Sequence, residues 1–192
     1  MSRPVLLLAL LGFATPAFAF DVPQKAEAAL AQGKAFVQVS EAAEGASLIQ
    51  AAVDIAAPVE TIWATVTDCE RAPEMSPNLK SCRVMQRDPA GRWEVREQIT
   101  KPGIIPSLRN VMRADYERPR AIRFRKIDGD LRMLEGEWRL TPRAGGVVRV
   151  TYEARMAANL RIPAALTRMA LRKEVPVSMA TLRRESMARA TR

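Results

Sequence analysis

The sequence predicts an α+β domain in which a curved antiparallel sheet of about seven strands wraps around a long, proline-kinked C-terminal helix. Three observations predict it. From Cys82 to Met156 the chain reads as strand-like runs separated by turns too short for anything but antiparallel neighbours. Each run alternates apolar and polar residues, so the sheet has one dry face that must be covered. After the last run, Ile162 to Arg189 repeats apolar residues at helical spacing, and one sheet with one closing helix buries its dry face only by curling around that helix. A single domain fits 192 residues, of which 48% are hydrophobic.

In chain order, residues 1 to 19 read as a secretory signal peptide. Arg3 gives a positive start, the apolar run from Pro4 to Ala14 is short for a bilayer span, and Ala17-Phe18-Ala19 places small residues where a signal peptidase reads. Cleavage near Ala19 starts the mature chain at Phe20 and sends it to the periplasm or outside the cell; a retained N-terminal anchor is the alternative. Residues 20 to 45 form an N-terminal extension, with an alanine-rich helix from Val22 to Gly33 and a short strand from Ala35 to Glu41. The main domain, residues 46 to 192, begins with a strand from Ala46 to Ile55. A helix follows from Ala57 to Asp68, where Pro58 suits a first helical position and Val59, Ile62, Trp63 and Val66 share one face. Pro73 and Pro77 leave room for one short helical turn before the meander.

The meander runs are Cys82 to Arg87, Arg92 to Thr100, Leu108 to Glu117, Ala121 to Ile127, Arg132 to Thr141 and Val147 to Met156, with Pro or Gly in each connection. Ile122 and Phe124 oppose Arg123 and Arg125, Leu134, Trp138 and Leu140 oppose Glu135, Glu137 and Arg139, and Val150 and Tyr152 oppose Thr151 and Glu153. Gly136, in mid-strand, reads as a bulge that bends the sheet, the alternative being room for a side chain or a ligand. In the closing segment Ile162, Leu166, Met169 and Ala170 share a helical spacing, and Pro176 predicts a kink.

Composition narrows the chemistry. The chain has no histidine, so Ser-His-Asp and Cys-His machinery is excluded, and two cysteines cannot supply a four-ligand zinc site of the usual kinds. In an exported protein Cys69 and Cys82 become a candidate disulfide, worth roughly 3 kcal/mol for a loop of that length. Thirty basic against 21 acidic residues give a formal charge of +9, which fits a solvated basic surface, nucleic acid or an anionic membrane. The arginines alternate with glutamates along the strands, and no aromatic-basic strand motif of single-strand binders is present. No nucleic-acid partner is therefore expected, and anionic lipid is the better functional reading of the surplus.

Four segments together resemble a known family: Ile55 to Asp68 with Pro58 and Trp63, Met75 to Cys82 with Pro77, Gly129 to Leu140 with Gly136 and Trp138, and Val150 to Glu153 with Tyr152. In order and spacing they are similar to the START-like, or SRPBCC, helix-grip superfamily, in its polyketide cyclase/dehydrase and coenzyme Q-binding-like branch. The resemblance covers about Ala46 to Arg184. It implies an apolar pocket between sheet and helix, used across the superfamily for lipids, quinones, sterols, polyketides or hormones. It implies no fixed catalytic motif, so no catalytic residue and no cofactor are carried over.

On that topology Met112, Tyr116, Phe124, Leu134, Trp138 and Tyr152 from the sheet, with Leu166 and Met169 from the helix, are the candidate ligand-binding residues; a closed core is the alternative reading. The hydroxyls of Tyr116 and Tyr152 and the Trp138 indole are the expected polar handles. The eight methionines that remain after removal of residues 1 to 19 suit either an adaptable pocket or an irregular core. Ile104 and Ile105, bracketed by Pro102 and Pro106 beside Lys101, make a candidate membrane-contact or pocket-gate loop, or else fold back over the core edge. Glu94, Glu97, Asp115, Glu135, Glu137 and Glu153 fall mostly on outward strand positions, which places no carboxylate pair in the pocket. The reading is thus a periplasmic or secreted, non-catalytic binder of a hydrophobic small molecule or lipid. Its alternatives are a cyclase or aromatase-like enzyme working by pocket shape and a periplasmic interaction module without a ligand.

Overall fold

The computed structural model describes residues 20–103, 106–159 and 162–191. Residues 1–19, read above as a signal peptide, and Ile104 and Ile105 of the expected contact loop lie outside the described residues.

A 3-10 turn, Gln24–Ala26, leads into helix α1, Glu27–Ala31, which ends where Gly33 takes a left-handed φ of 73°. Strands β1, Phe36–Glu41, and β2, Ser47–Ile55, form a hairpin. Helix α2, Val59–Thr67, starts at Pro58, whose carbonyl accepts from the backbone N–H of Thr61 and Ile62, and buries Ile62 and Trp63 as its sequence stripe predicts. The single turn α3, Ala72–Met75, follows. The meander is β3, Leu79–Arg87; β4, Trp93–Thr100; β5, Leu108–Glu117; β6, Ala121–Gly129; β7, Met133–Pro142; and β8, Val148–Ala157. Helix α4, Ala164–Ala190, closes the fold and runs unbroken through Pro176, which has no N–H to offer the turn before it.

All strands form one antiparallel sheet of eight, ordered β1-β2-β8-β7-β6-β5-β4-β3. The sheet has one strand more than the seven expected, because the strand assigned to the N-terminal extension pairs with β2 at the sheet edge. Helices α2 and α3 carry the chain from β2 to the far edge at β3, and the meander returns to lay β8 against β2. Register slips between Leu79 and Ser81, between Val84 and Gln86, and between Val111 and Met112 supply the bulges that help bend the sheet. Gly136 is not one of them. The register passes through it without a break, Phe124 opposite Gly136 and Gly136 opposite Ala154. A Cβ there would lie 2.2 Å from the Glu153 carbonyl oxygen and 2.8 Å from the Phe124 ring, so the glycine makes room for a neighbouring strand and an aromatic side chain.

The core lies on the concave face, where Ile49, Val53, Ile55, Ile62, Val150 and Met179 are fully enclosed. Burial of this apolar surface is the main driving force of the fold, at about 25 cal/mol per Å². Helix α4 packs chiefly on β1, β2, α2 and α3. Its arginines reach the edge strand: the Arg172 guanidinium donates to the Val39 carbonyl at 3.0 Å, and Arg168 pairs with Glu41 at 3.3 Å.

Candidate functional site

Because α4 leans toward the β1–β2 end, it does not fill the trough above β4 to β7, and a cavity of about 350 Å³ remains there. That volume lies at the small end of ligand pockets. Its apolar wall comes from the strand alternation: Ala114 and Met112 on β5, Ile122 and Phe124 on β6, Leu134 and Trp138 on β7, Tyr152 and Met156 on β8. Tyr152 stacks on Phe124 with ring centroids 5.9 Å apart and meets Trp138 at 4.4 Å, which fixes three aromatic rings as one floor.

Of the residues singled out from sequence, Met112, Phe124, Leu134, Trp138 and Tyr152 line this cavity. Tyr116 does not. Its ring packs edge-on against Trp63 at 5.6 Å and its hydroxyl accepts a 2.9 Å hydrogen bond from Arg96. Leu166 and Met169 are also absent from the lining and stand 49% and 51% exposed. The helix is rotated from the expected phase, so that Leu171, Val175, Ser178 and Leu182, at i, i+4, i+7 and i+11, face the cavity instead.

The larger departure is on β4. Glu94, Arg96, Gln98 and Thr100 share one face, and that face is the inner one. Glu94 is 2% and Arg96 8% exposed. Arg96 donates from Nε to Glu94 Oε1 at 2.8 Å and again from Nη2 to the same oxygen, and Nη2 also reaches the Thr67 carbonyl at 3.3 Å. Arg87 covers the other oxygen of Glu94 at 3.2 Å. The pair is thus internally neutral, which is what makes its burial tolerable. Glu137, expected on the wet face, is on that face but only 1% exposed, roofed by Arg123 at 2.8 Å and by Arg139.

A second polar group enters from the helix. Glu174, one of the lining residues, accepts from Ser76 Oγ at 3.0 Å and from Asn78 Nδ2 at 2.8 Å, so α4 is tied to the turn that precedes β3. Burial raises the Tyr152 phenol well above the usual tyrosine range, and the negative charge of Glu174 pushes the same way. Burial likewise raises Tyr116. Both therefore remain neutral phenols at physiological pH.

Cys69 and Cys82 form a disulfide, with Cα atoms 5.3 Å apart, between the end of α2 and β3. Cys82 Sγ is 3.9 Å from Gln98 Nε2, so the bond braces the strand pair behind the polar side of the cavity. The pairing of Glu94 with Arg96 was the one sequence signal for this side: opposite charges two residues apart lie on the same face of a strand. Glu174 had no such signal, since its partners are almost a hundred residues away.

Comparison with known proteins places this architecture. The chain resembles a START superfamily protein from Mycobacterium smegmatis, at 18% identity and a TM-score of 0.60 over 75% of this chain and 97% of that one. It also resembles a STAR-related lipid transfer protein from Xanthomonas axonopodis, at 16% identity and a TM-score of 0.61 over 78% and 98% of the two chains. The Zhui aromatase/cyclase from Streptomyces matches at 14% identity and a TM-score of 0.61 over 77% and 94%. No curated protein matches in sequence. These likenesses concern the fold, and a family model matches residues 55–183. With its cavity between curved sheet and closing helix, the chain belongs to the START-like polyketide cyclase/dehydrase and lipid transport family.

Proposed function

We propose that this protein is an exported, non-catalytic binder of a single hydrophobic small molecule of lipid, quinone or isoprenoid-like character. The observation that carries the reading is the cavity itself: an aromatic and aliphatic wall with its polar groups gathered on β4 and at Glu174. Such a cavity holds an apolar body by burial, at about 25 cal/mol per Å² less the cost of ordering, and leaves one side for a polar end. A volume near 350 Å³ suits one chain or a small ring system rather than a two-chain phospholipid. Each ionisable lining group already holds partners, Arg96 with Glu94, and Glu174 with one neutral donor on each oxygen, which favours holding over proton transfer.

Export would put the protein in the periplasm, where a carrier must exchange its guest with a membrane. Leu166, Met169 and Val177 are each about half exposed along one side of α4, beside the exposed Arg172 and Lys173, a combination suited to an anionic lipid surface. A cyclase-like activity is the second reading, favoured by the Arg96–Glu94–Tyr116 network beside the cavity.

Native mass spectrometry of protein purified from the periplasm tests the proposal. A co-purifying lipophile is the expected result. Protein that carries none, and whose melting temperature no lipophile shifts, would leave an interaction module and end the binding reading; turnover of a poly-ketone would favour the enzyme.

A further inference from the structure

We infer that Glu174 reads the polar end of the ligand and selects a hydrogen-bond donor, a hydroxyl or a protonated amine, over an anion. The inference rests on the binding role proposed above and adds to it the chemistry of the guest's polar end.

Glu174 Oε1 and Oε2 each accept one hydrogen bond, from Ser76 and Asn78. A carboxylate has about four acceptor sites, so two remain for a guest. Both bonds come from neutral groups, and among the described residues Glu174 has no ion-pair partner. Arg96, the other ionisable lining residue, differs: Glu94 takes two of its N–H groups and pairs its charge, and the exposed Arg87 holds the other oxygen of Glu94 from outside the lining. Of the two charged residues in the lining, Glu174 is thus the one without an ion partner among the described residues. Its charge reaches across the cavity to the Tyr152 phenol, where it adds to the effect of burial. A ligand donor completes the Glu174 shell with a charge-assisted bond, whereas a carboxylate brought to the same place meets a like charge.

Three amphiphiles with one common tail, dodecylamine, dodecanol and dodecanoate, test this at pH 7 by displacement of a fluorescent lipophile below their micelle concentrations. Wild-type protein is expected to bind the amine and the alcohol about tenfold or more tightly than the acid, the scale of one charge-assisted contact. Glu174→Gln, which keeps an acceptor oxygen but removes the charge, is expected to erase the preference for the amine and bring dodecanoate close to the alcohol. Ser76→Ala, which loosens the tie to α4 and keeps the charge, is expected to preserve the ranking; a purely structural role for Glu174 would make both variants lower all three affinities together. The inference is overturned if wild-type protein binds dodecanoate as well as the alcohol, a result independent of how any variant folds, or if Glu174→Gln leaves the ranking intact. If neither the fluorescent lipophile nor any of the three amphiphiles binds, the lipophile-binding role falls and the inference with it; if the lipophile binds and none of the three displaces it, the inference alone falls.

Discussion

The inward positions of β6, β7 and β8 hold Ile122, Phe124, Leu134, Trp138, Leu140, Val150 and Tyr152, whereas those of β4 hold Glu94, Arg96, Gln98 and Thr100. Both regions alternate with the same period of two. The outward side of β4 carries Trp93, Val95 and Ile99, yet these are only half-buried, with the Arg113 guanidinium 4.4 Å above the Trp93 ring. Alternation therefore shows that a strand has two chemically distinct faces without saying which one turns inward. On the central strands the outer face meets water, and hydropathy decides. On β4 the Arg113 side chain shelters Trp93 on the outer face, while the inner Glu94 and Arg96 pair with each other.

The comparison breaks most sharply at Arg96. Arg96→Met leaves Glu94 buried with only the exposed Arg87 beside it and should cost about 3 to 5 kcal/mol in urea unfolding, while the double change Glu94→Leu with Arg96→Met should recover much of that loss. A single change as mild as the double one would mean the pair is not coupled. Reducing the Cys69–Cys82 disulfide, which braces the same side, should lower stability by roughly 3 kcal/mol, read as a drop in melting temperature with thiol. On the apolar side, Gly136→Ala should cost about 1 to 3 kcal/mol, because the new methyl meets a backbone carbonyl rather than a flexible side chain. A neutral outcome would show that β7 and β8 can part locally. The smallest effect is alkaline. The chain has two tyrosines, Tyr116 and Tyr152, both raised by burial. The native state then binds more protons than the unfolded state once pH exceeds about 10, so the tyrosine contribution to stability is constant below that value and falls above it. Absorbance at alkaline pH should show tyrosinate appearing only as the protein unfolds, and an ordinary midpoint in folded protein would contradict the burial of both rings.

Much of the architecture was legible where local chemistry and burial agree. The turn residues delimit the meander, Ile62 and Trp63 mark the inner side of α2, and Phe124, Leu134, Trp138 and Tyr152 alternate cleanly. The phase of α4 was not, because the helix carries apolar residues on opposite sides, Leu166, Met169 and Val177 toward water and Leu171, Met179 and Leu182 toward the core. Periodicity alone cannot rank two such stripes. Gly136 misled for a related reason: a strand glycine is needed equally for a bulge and for a close approach, and only the position of Phe124 on the adjacent strand distinguishes them. The Glu174 cluster depends on segments distant in the chain and could be seen only once they met.

A sheet that stays open at both ends offers rows of unsatisfied backbone groups, and a neighbouring molecule can extend it strand upon strand. Here each end carries features that hinder such growth. At β1 the Arg172 guanidinium already occupies the Val39 carbonyl. At β3 two bulges disturb the spacing, and Lys80, Arg83 and Arg87 put positive charge along the strand. Growth of the sheet from one copy to the next is thereby hindered at both of its edges.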